Sequence, residues 1–208
     1  MTKVAQSELI EGAIAGKVVS FPTDTVPAIA TLPEHSALIF AAKKRPQDKP
    51  LILMGACEED LWAYVTGTPE EIAIWQKVTC HYWPGAMTLV LPASSRLSTA
   101  MNPIDPTTIG LRIPDSDIAR AILAQTGPLA TTSANLSGQP PLETMNAIDA
   151  AFPDVLTLDL AQGDTKIGSG LPSTVAKWTE KGWEILRQGS VKMMNDEGGI
   201  IKIRRKVV

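Results

Sequence analysis

Apolar positions in this chain fall into short runs separated by stretches of helical spacing, with Gly or Pro near most boundaries. The runs at 18–21, 51–54, 87–91, 108–113, 129–132 and 155–158 are too short for helices and predict buried strands. Two more runs, at 173–178 and 183–186, flank Glu180-Lys181-Gly182 and predict a hairpin. Spacing near 3.6 predicts helices over 7–15, 34–44, 58–65, 68–81, 116–125 and 144–151. Ser7 is the predicted cap of the first helix and Gly16 its stop. Thr68-Pro69-Glu70-Glu71 combines a cap, a proline at the first helical position and a capping-box glutamate. Loops are predicted at 23–29, 93–106 and 162–172, the last rich in Gly. Strands and helices alternate without a break in composition. This predicts one α/β domain over 1–191 with a mixed parallel and antiparallel sheet, followed by a basic C-terminal tail at 192–208.

Composition narrows the functional classes. The 208 residues are 44% hydrophobic, enough for one substantial core. A net charge of −3 argues against a general nucleic-acid binder, so any basic surface must be local. Cys57 and Cys80 have no metal-ligand spacing and read as reduced packing residues. No run approaches the roughly 20 apolar residues that span a membrane, and the N-terminus has no leader pattern. A cytoplasmic protein without a membrane partner is expected.

The stretch 128–138, Pro-Leu-Ala-Thr-Thr-Ser-Ala-Asn-Leu-Ser-Gly, changes the picture. A buried strand runs out into Ser133, Asn135 and Ser137. Hydroxyls, an amide and free backbone N–H groups at a strand's C-terminal edge suit an anionic ligand. The same residues also serve as an ordinary turn before the next helix. Neither a Walker P-loop nor a GxGxxG pattern is present. His35 and His81 stand alone in helical patterns and read as packing or surface residues, so a nucleophilic triad has no suitable base. No grouping has metal-ligand spacing, and no metal site is expected in the protein.

What remains is basic and hydroxyl residues at element ends: Thr23, Thr25, Lys43, Arg45, Lys49, Thr108, Arg112, Ser133, Asn135, Ser173, Thr174 and Arg187. They read either as scattered solvated groups or as a site for phosphates and carboxylates. Arg112 and Arg187 favour the second reading, because each ends an apolar strand, where a charge is costly without an anion or a carboxylate. A cavity of guanidinium, ammonium and hydroxyl groups would act by orientation and charge neutralisation.

Six stretches, taken together, carry a resemblance. They are 21–26 (Phe-Pro-Thr-Asp-Thr-Val), 43–52 (Lys-Lys-Arg-Pro-Gln-Asp-Lys-Pro-Leu-Ile), 83–89 (Trp-Pro-Gly-Ala-Met-Thr-Leu), 108–114 (Thr-Ile-Gly-Leu-Arg-Ile-Pro), 132–141 (Thr-Ser-Ala-Asn-Leu-Ser-Gly-Gln-Pro-Pro) and 172–175 with 186–189. In order and spacing the chain resembles the YrdC/TsaC family of threonylcarbamoyl-AMP synthases, in its short single-domain bacterial form. The resemblance implies a twisted mixed sheet with flanking helices around a basic cavity. It implies synthesis of threonylcarbamoyl-AMP from L-threonine, bicarbonate and ATP, with Mg²⁺ accompanying ATP and release of pyrophosphate. A partner transferase complex would then modify tRNA. By resemblance, Thr25, Arg112, Thr131 and Ser173 hold threonine or its carbamate. Arg45, Lys49, Thr108, Ser133, Asn135, Pro141 and Arg187 line the ATP, and Lys43 with Arg45 neutralises the phosphates as the catalytic pair.

The chain departs from the family at Pro27-Ala28-Ile29, where an aromatic and a glycine are usual, and at Ser116, where histidine is frequent. Met54 and Pro172 match the short forms. Two rival functions stand beside the synthase: a diverged nucleotide- or RNA-binding member without catalysis, and a relative that uses carbamoyl phosphate.

Overall fold

The computed structural model describes residues 2–160, 165–194 and 202–203. In chain order the elements are β1 (Lys3–Val4), α1 (Gln6–Ile14), β2 (Val19–Phe21), β3 (Ala28–Thr31), α2 (Ser36–Lys43), β4 (Ile52–Met54), α3 (Glu59–Trp62), α4 (Pro69–Tyr82) and β5 (Met87–Pro92). There follow β6 (Thr108–Arg112), α5 (Asp117–Thr126), β7 (Leu129–Ser133), α6 (Met145–Ala151), β8 (Leu156–Leu158), β9 (Thr174–Thr179), β10 (Gly182–Arg187) and β11 (Lys202–Ile203). All strands join one mixed sheet in the order β1-β8-β2-β3-β7-β4-β6-β5-β9-β10-β11. Pairs β4/β6 and β5/β9 are parallel, whereas β7 runs antiparallel to both its neighbours, β3 and β4.

Side chains alternate across a sheet, and here the alternation separates core from cavity. Leu53, Leu89, Leu91, Ile109 and Leu111 are buried in the core. Their neighbours Ile52, Met54, Thr88, Val90, Thr108, Gly110 and Arg112 line a cavity. Thr and Gly at these positions leave space where larger side chains would fill it. At Gly110 even a Cβ would come within 2.9 Å of the Ile52 side chain. Outside the central strands, α1 packs on α5 and β8, α6 on β8 and β2, and α2 on β3.

Several expectations are corrected. Residues 28–31 form a central strand, β3, where a loop was expected up to 29; Ala28, Ile29, Ala30 and Thr31 are all buried between β2 and β7. Its small residues and the preceding Pro27 hid it, since pairing on both sides compensates for weak local propensity. β1 was not anticipated either; it is two residues long and exists by pairing with β8. Helix α1 begins at Gln6 with Ala5 at its N-cap and no side-chain cap, so Ser7 lies inside it. The predicted helix at 34–44 divides into a 3-10 turn (Pro33–His35) and α2, which ends before Lys44 in the left-handed conformation (φ 49°). That at 58–65 contracts to the single turn of α3, and the loop at 93–106 holds a 3-10 turn at Thr99–Met101. Cys57 and Cys80 are free thiols as expected, but exposed rather than packed.

Residues 192–194 of the expected tail lie on the domain. Tyr82 Oη donates to the Lys192 carbonyl and accepts from the Met194 N–H, and Met193 packs on the core. Lys202–Ile203 pair in parallel with β10. The remaining tail and residues 161–164 lie outside the described residues.

The start of α4 agrees with its motif: Thr68 Oγ1 accepts from the Glu71 N–H, and Glu71 Oε2 from the Thr68 N–H. Replacing Thr68 with Ala removes half of this box. Urea unfolding of Thr68→Ala is expected to show a loss of about 1 kcal/mol.

Candidate active site

The cavity on the sheet face has a volume of about 600 Å³, within the range of small-molecule sites. Its inner end is built on Arg112, the last residue of β6 and 4% exposed. Arg112 Nε donates to the Gly85 carbonyl at 3.0 Å, Nη1 to Thr25 Oγ1 at 2.8 Å and Nη2 to Asp24 Oδ1 at 2.6 Å. Burial works to lower the pKa of this guanidinium, and Asp24 opposes that by its charge and its hydrogen bond.

The loop that supplies Asp24 and Thr25 is held from two directions. Thr23 Oγ1 donates to the Val26 carbonyl and lies 3.1 Å from Thr25 Oγ1. On the far side, the N–H groups of Ser169 and Gly170 donate to the carbonyls of Asp24 and Thr25, each at 2.9 Å. Gly168 has φ +66°, and a Cβ there would lie 2.4 Å from the Thr25 carbonyl oxygen. This close approach explains the Gly-rich loop.

Two further guanidiniums face the cavity. Arg187, the last residue of β10, donates through Nε and Nη2 to the Ser173 carbonyl at 3.2 and 2.9 Å. Ser173 Oγ in turn lies 2.9 Å from Thr88 Oγ1. Arg45 donates from Nε to the Lys49 carbonyl at 2.8 Å and from Nη2 to the Pro50 carbonyl at 3.0 Å, so it bends its own loop into the cavity wall. Burial and then the Arg187 charge lower the pKa of Arg45, with Asp48 opposing; burial and then Arg112 lower that of Arg187. Cations set close enough to disfavour one another are the mark of an anion site.

Lys43 lies one layer behind this wall. Its side chain is fully buried at the end of α2. Nζ donates to the Ser133 carbonyl, to Asn135 Oδ1 at 3.3 Å and to Thr132 Oγ1 at 3.5 Å. Ser133 Oγ donates to Asn135 Oδ1 at 2.6 Å, and Asn135 Nδ2 to the Leu136 and Gln139 carbonyls. The stretch after β7 is therefore both a structured turn and part of the cavity wall. Burial, followed by the charge of Arg45, lowers the Lys43 pKa to about 7.

Of the residues singled out in the sequence, Thr25, Arg45, Thr108, Arg112, Thr131, Ser133, Asn135, Pro141, Ser173 and Arg187 line the one cavity. Lys49 is exposed and points no side chain into it; its carbonyl is the part engaged, by Arg45. Pro27, Met54 and Pro172 also belong to the wall. Ser116 instead caps α5, accepting from the Ala119 N–H, so the departure at that position lies off the cavity. His35 Nδ1 sits 3.1 Å from the Gly16 carbonyl in a packing role.

Sequence reasoning passed over Asp24, Asp48, Thr88, Asp105 and Lys177. Asp24 stood inside a recognised motif, and Lys177 alternates with Val175 on β9, whereas Asp105 had no signal. Among the described residues no group of three or more His, Cys, Asp or Glu side chains is placed to hold a metal.

A family model for Sua5/YciO/YrdC proteins, described as telomere recombination, matches residues 13–189. The chain belongs to this family. A threonylcarbamoyl-AMP synthase of Pyrococcus abyssi is 35% identical over 194 residues, 91% of this chain and 55% of that protein. One from Vibrio parahaemolyticus is 34% identical over 183 residues, 84% of this chain and 93% of that protein. The chain thus spans about half of the first Sua5/YciO/YrdC relative and nearly all of the second. The structure of Pyrococcus abyssi Sua5 complexed with L-threonine matches with a TM-score of 0.82 at 30% identity, covering 97% of this chain and 60% of that one. Escherichia coli YciO shares the fold, with a TM-score of 0.74 at 20% identity over 93% of this chain and 92% of that one. The mixed sheet with flanking helices is therefore the Sua5/YciO/YrdC fold.

Lys43 gives a pH test of this layer. Its folded pKa, about 7, lies below the ordinary 10.5. Between those values the unfolded chain holds a proton that the folded chain has lost, so stability rises with pH through this window; below about pH 7 the cost of a buried ammonium is fully present. The free energy of unfolding, measured by urea from pH 6 to 10, is expected to climb more steeply in wild type than in Lys43→Met.

Proposed function

We propose that this protein makes threonylcarbamoyl-AMP from L-threonine, bicarbonate and ATP, releasing pyrophosphate. The observation that carries the reading is the division of cationic groups within one cavity. At one end Arg112 is matched by Asp24 and Thr25. Toward the other, Arg187 and Arg45 donate to neutral carbonyls, and among the described residues no salt bridge joins either to a carboxylate. The first end suits an amino-acid carboxylate, the second a polyphosphate. Family membership and the names of the relatives support the same assignment.

The chemistry asks little covalent work of the protein. The amine of threonine adds to bicarbonate, water leaves, and the carbamate oxygen attacks the α-phosphorus of ATP. The α–β phosphoanhydride breaks and pyrophosphate departs. Negative charge builds on phosphate oxygens, and fixed guanidiniums stabilise it without reorganising. Magnesium enters with ATP as part of the substrate. Arg112 and Thr25, with Ser173 and Thr131 of the same cavity wall, orient the threonine, and Arg45 with Arg187 holds the phosphates. Lys43 contributes by fixing the Ser133–Asn135 turn and by its charge behind the wall. The product would pass to a transferase complex acting on tRNA, a role in keeping with a cytoplasmic protein. Among the described residues no helix is long and apolar enough to cross a membrane.

A nucleotide-binding member without synthase activity is the second reading. It is favoured by Pro27, which lines the cavity and has no N–H to offer a ligand. One assay separates them: pyrophosphate release from ATP is expected to require both L-threonine and bicarbonate. Release at an equal rate with neither added, or no release at all, would reject the synthase.

Arg45 tests the phosphate end. Arg45→Lys keeps the charge but loses the fork that grips the Lys49 and Pro50 carbonyls. It is expected to lower kcat/KM for ATP on the order of a hundredfold. Lys44→Gly, at an exposed left-handed position, is expected to leave the kinetics at wild-type values.

A further inference from the structure

Among the cationic side chains of the cavity, Arg112 stands out in its partner. Arg187 and Arg45 donate to carbonyl oxygens, whereas Arg112 donates to a carboxylate, Asp24 Oδ1, at 2.6 Å. That carboxylate is off the cavity wall, which takes Thr23, Thr25, Val26 and Pro27 from the same loop. Arg112 lines the cavity and Asp24 does not, so a ligand there would meet the guanidinium and not the acid.

The Arg112 charge is felt at Arg187, whose pKa it helps to lower after burial. A polyphosphate held by Arg187 and Arg45 would be drawn toward Arg112 too if that charge were free. The site then could not keep its two ends distinct, because the phosphates would occupy the place of the amino acid.

We propose that Asp24 is a specificity-determining residue that acts through Arg112. By cancelling the Arg112 charge from behind, it lets that end of the cavity accept a single carboxylate by hydrogen bonding while refusing pyrophosphate or a nucleotide triphosphate. The inference rests on the synthase reading for the identity of the amino acid. The pair sums to zero charge. A carboxylate still finds guanidinium N–H groups with fixed directions, since Nε and one N–H on each terminal nitrogen are engaged by Gly85, Thr25 and Asp24. A pyrophosphate, with several negative charges, gains much less there, because its attraction to Arg112 is offset by repulsion from Asp24.

Asp24 is also fixed in place. Its carbonyl accepts from the Ser169 N–H at 2.9 Å, and Gly168 packs against the same loop. These contacts hold the backbone that carries the acid, and Arg112 Nη2 holds its carboxylate.

The test is calorimetric titration of the full chain with inorganic pyrophosphate, with and without saturating L-threonine, after a thermal melt has shown each variant folded. In wild type, L-threonine is expected to leave pyrophosphate affinity unchanged. In Asp24→Asn and Asp24→Ser, which remove the charge in two different ways, pyrophosphate is expected to bind about tenfold tighter. L-Threonine is then expected to compete with it. Asp24→Glu keeps the charge and is expected to retain the wild-type independence. Unchanged pyrophosphate affinity in both neutral variants would overturn the proposal, as would Asp24→Glu behaving like Asp24→Asn, which would point to loop distortion. A wild type that binds no L-threonine would instead contradict the synthase reading. The tightening of pyrophosphate in the neutral variants would still decide the role of Asp24.

Discussion

A guanidinium buried at the end of an apolar strand is the constraint on which this structure turns. Arg112 cannot be left unpaired, because an isolated charge in a low-dielectric interior is costly. Its partners come from segments far apart in sequence: Gly85 before β5, and Asp24 and Thr25 after β2. Each is in turn held elsewhere. The Gly85 N–H donates to the Ile113 carbonyl, and the Asp24–Thr25 backbone accepts from Ser169 and Gly170. Removing one member of such a buried pair typically costs about 3–5 kcal/mol, so the acid, the base and the loops around them persist as a unit. The same unit sets the chemistry at the inner end of the cavity.

A second buried cation organises the opposite wall. Lys43 joins the end of α2 to the end of β7 through its ammonium, and its backbone carbonyl accepts from the Ser137 N–H at 3.1 Å. Its ammonium donates to a carbonyl, an amide oxygen and a hydroxyl and to no carboxylate among the described residues, which is why burial can lower its pKa so far. The contrast with Arg112 is physical. A guanidinium keeps its proton under any reachable condition, so burial forces a carboxylate beside it; an ammonium can shed its proton and needs less.

The position of the cavity follows from the size of alternate side chains rather than from the ends of the strands. Sequence reasoning placed the ligand at the C-terminal edge of β7. That edge does contribute Ser133 and Asn135, but the cavity extends over the sheet face across β4, β6, β5 and β9. Thr88, Thr108, Gly110 and Thr131 keep that face low, while the large residues between them fill the core on the other side. A sheet with both faces packed would leave no room for a ligand on this face.

The local pattern was enough to identify most elements: the strands ending in Arg112 and Arg187, the capping box of α4, the hairpin of β9 and β10, and the motifs that carry the family resemblance. These depend on residue period, capping chemistry and turn residues, which are properties of neighbours in sequence. What the local pattern could not show were features made by partners distant in the chain. β3 is a strand because β2 and β7 lie on either side of it, not because Ala28-Ile29-Ala30-Thr31 favours one. Lys43 and Lys49 both read as cations at element ends, yet packing buries one behind the wall and leaves the other in solvent. Asp24 was an unremarked letter within a motif until folding set it 2.6 Å from Arg112. Its role comes from a charge 88 positions away in the chain, and Coulomb's law acts on distance in space, which the sequence does not print.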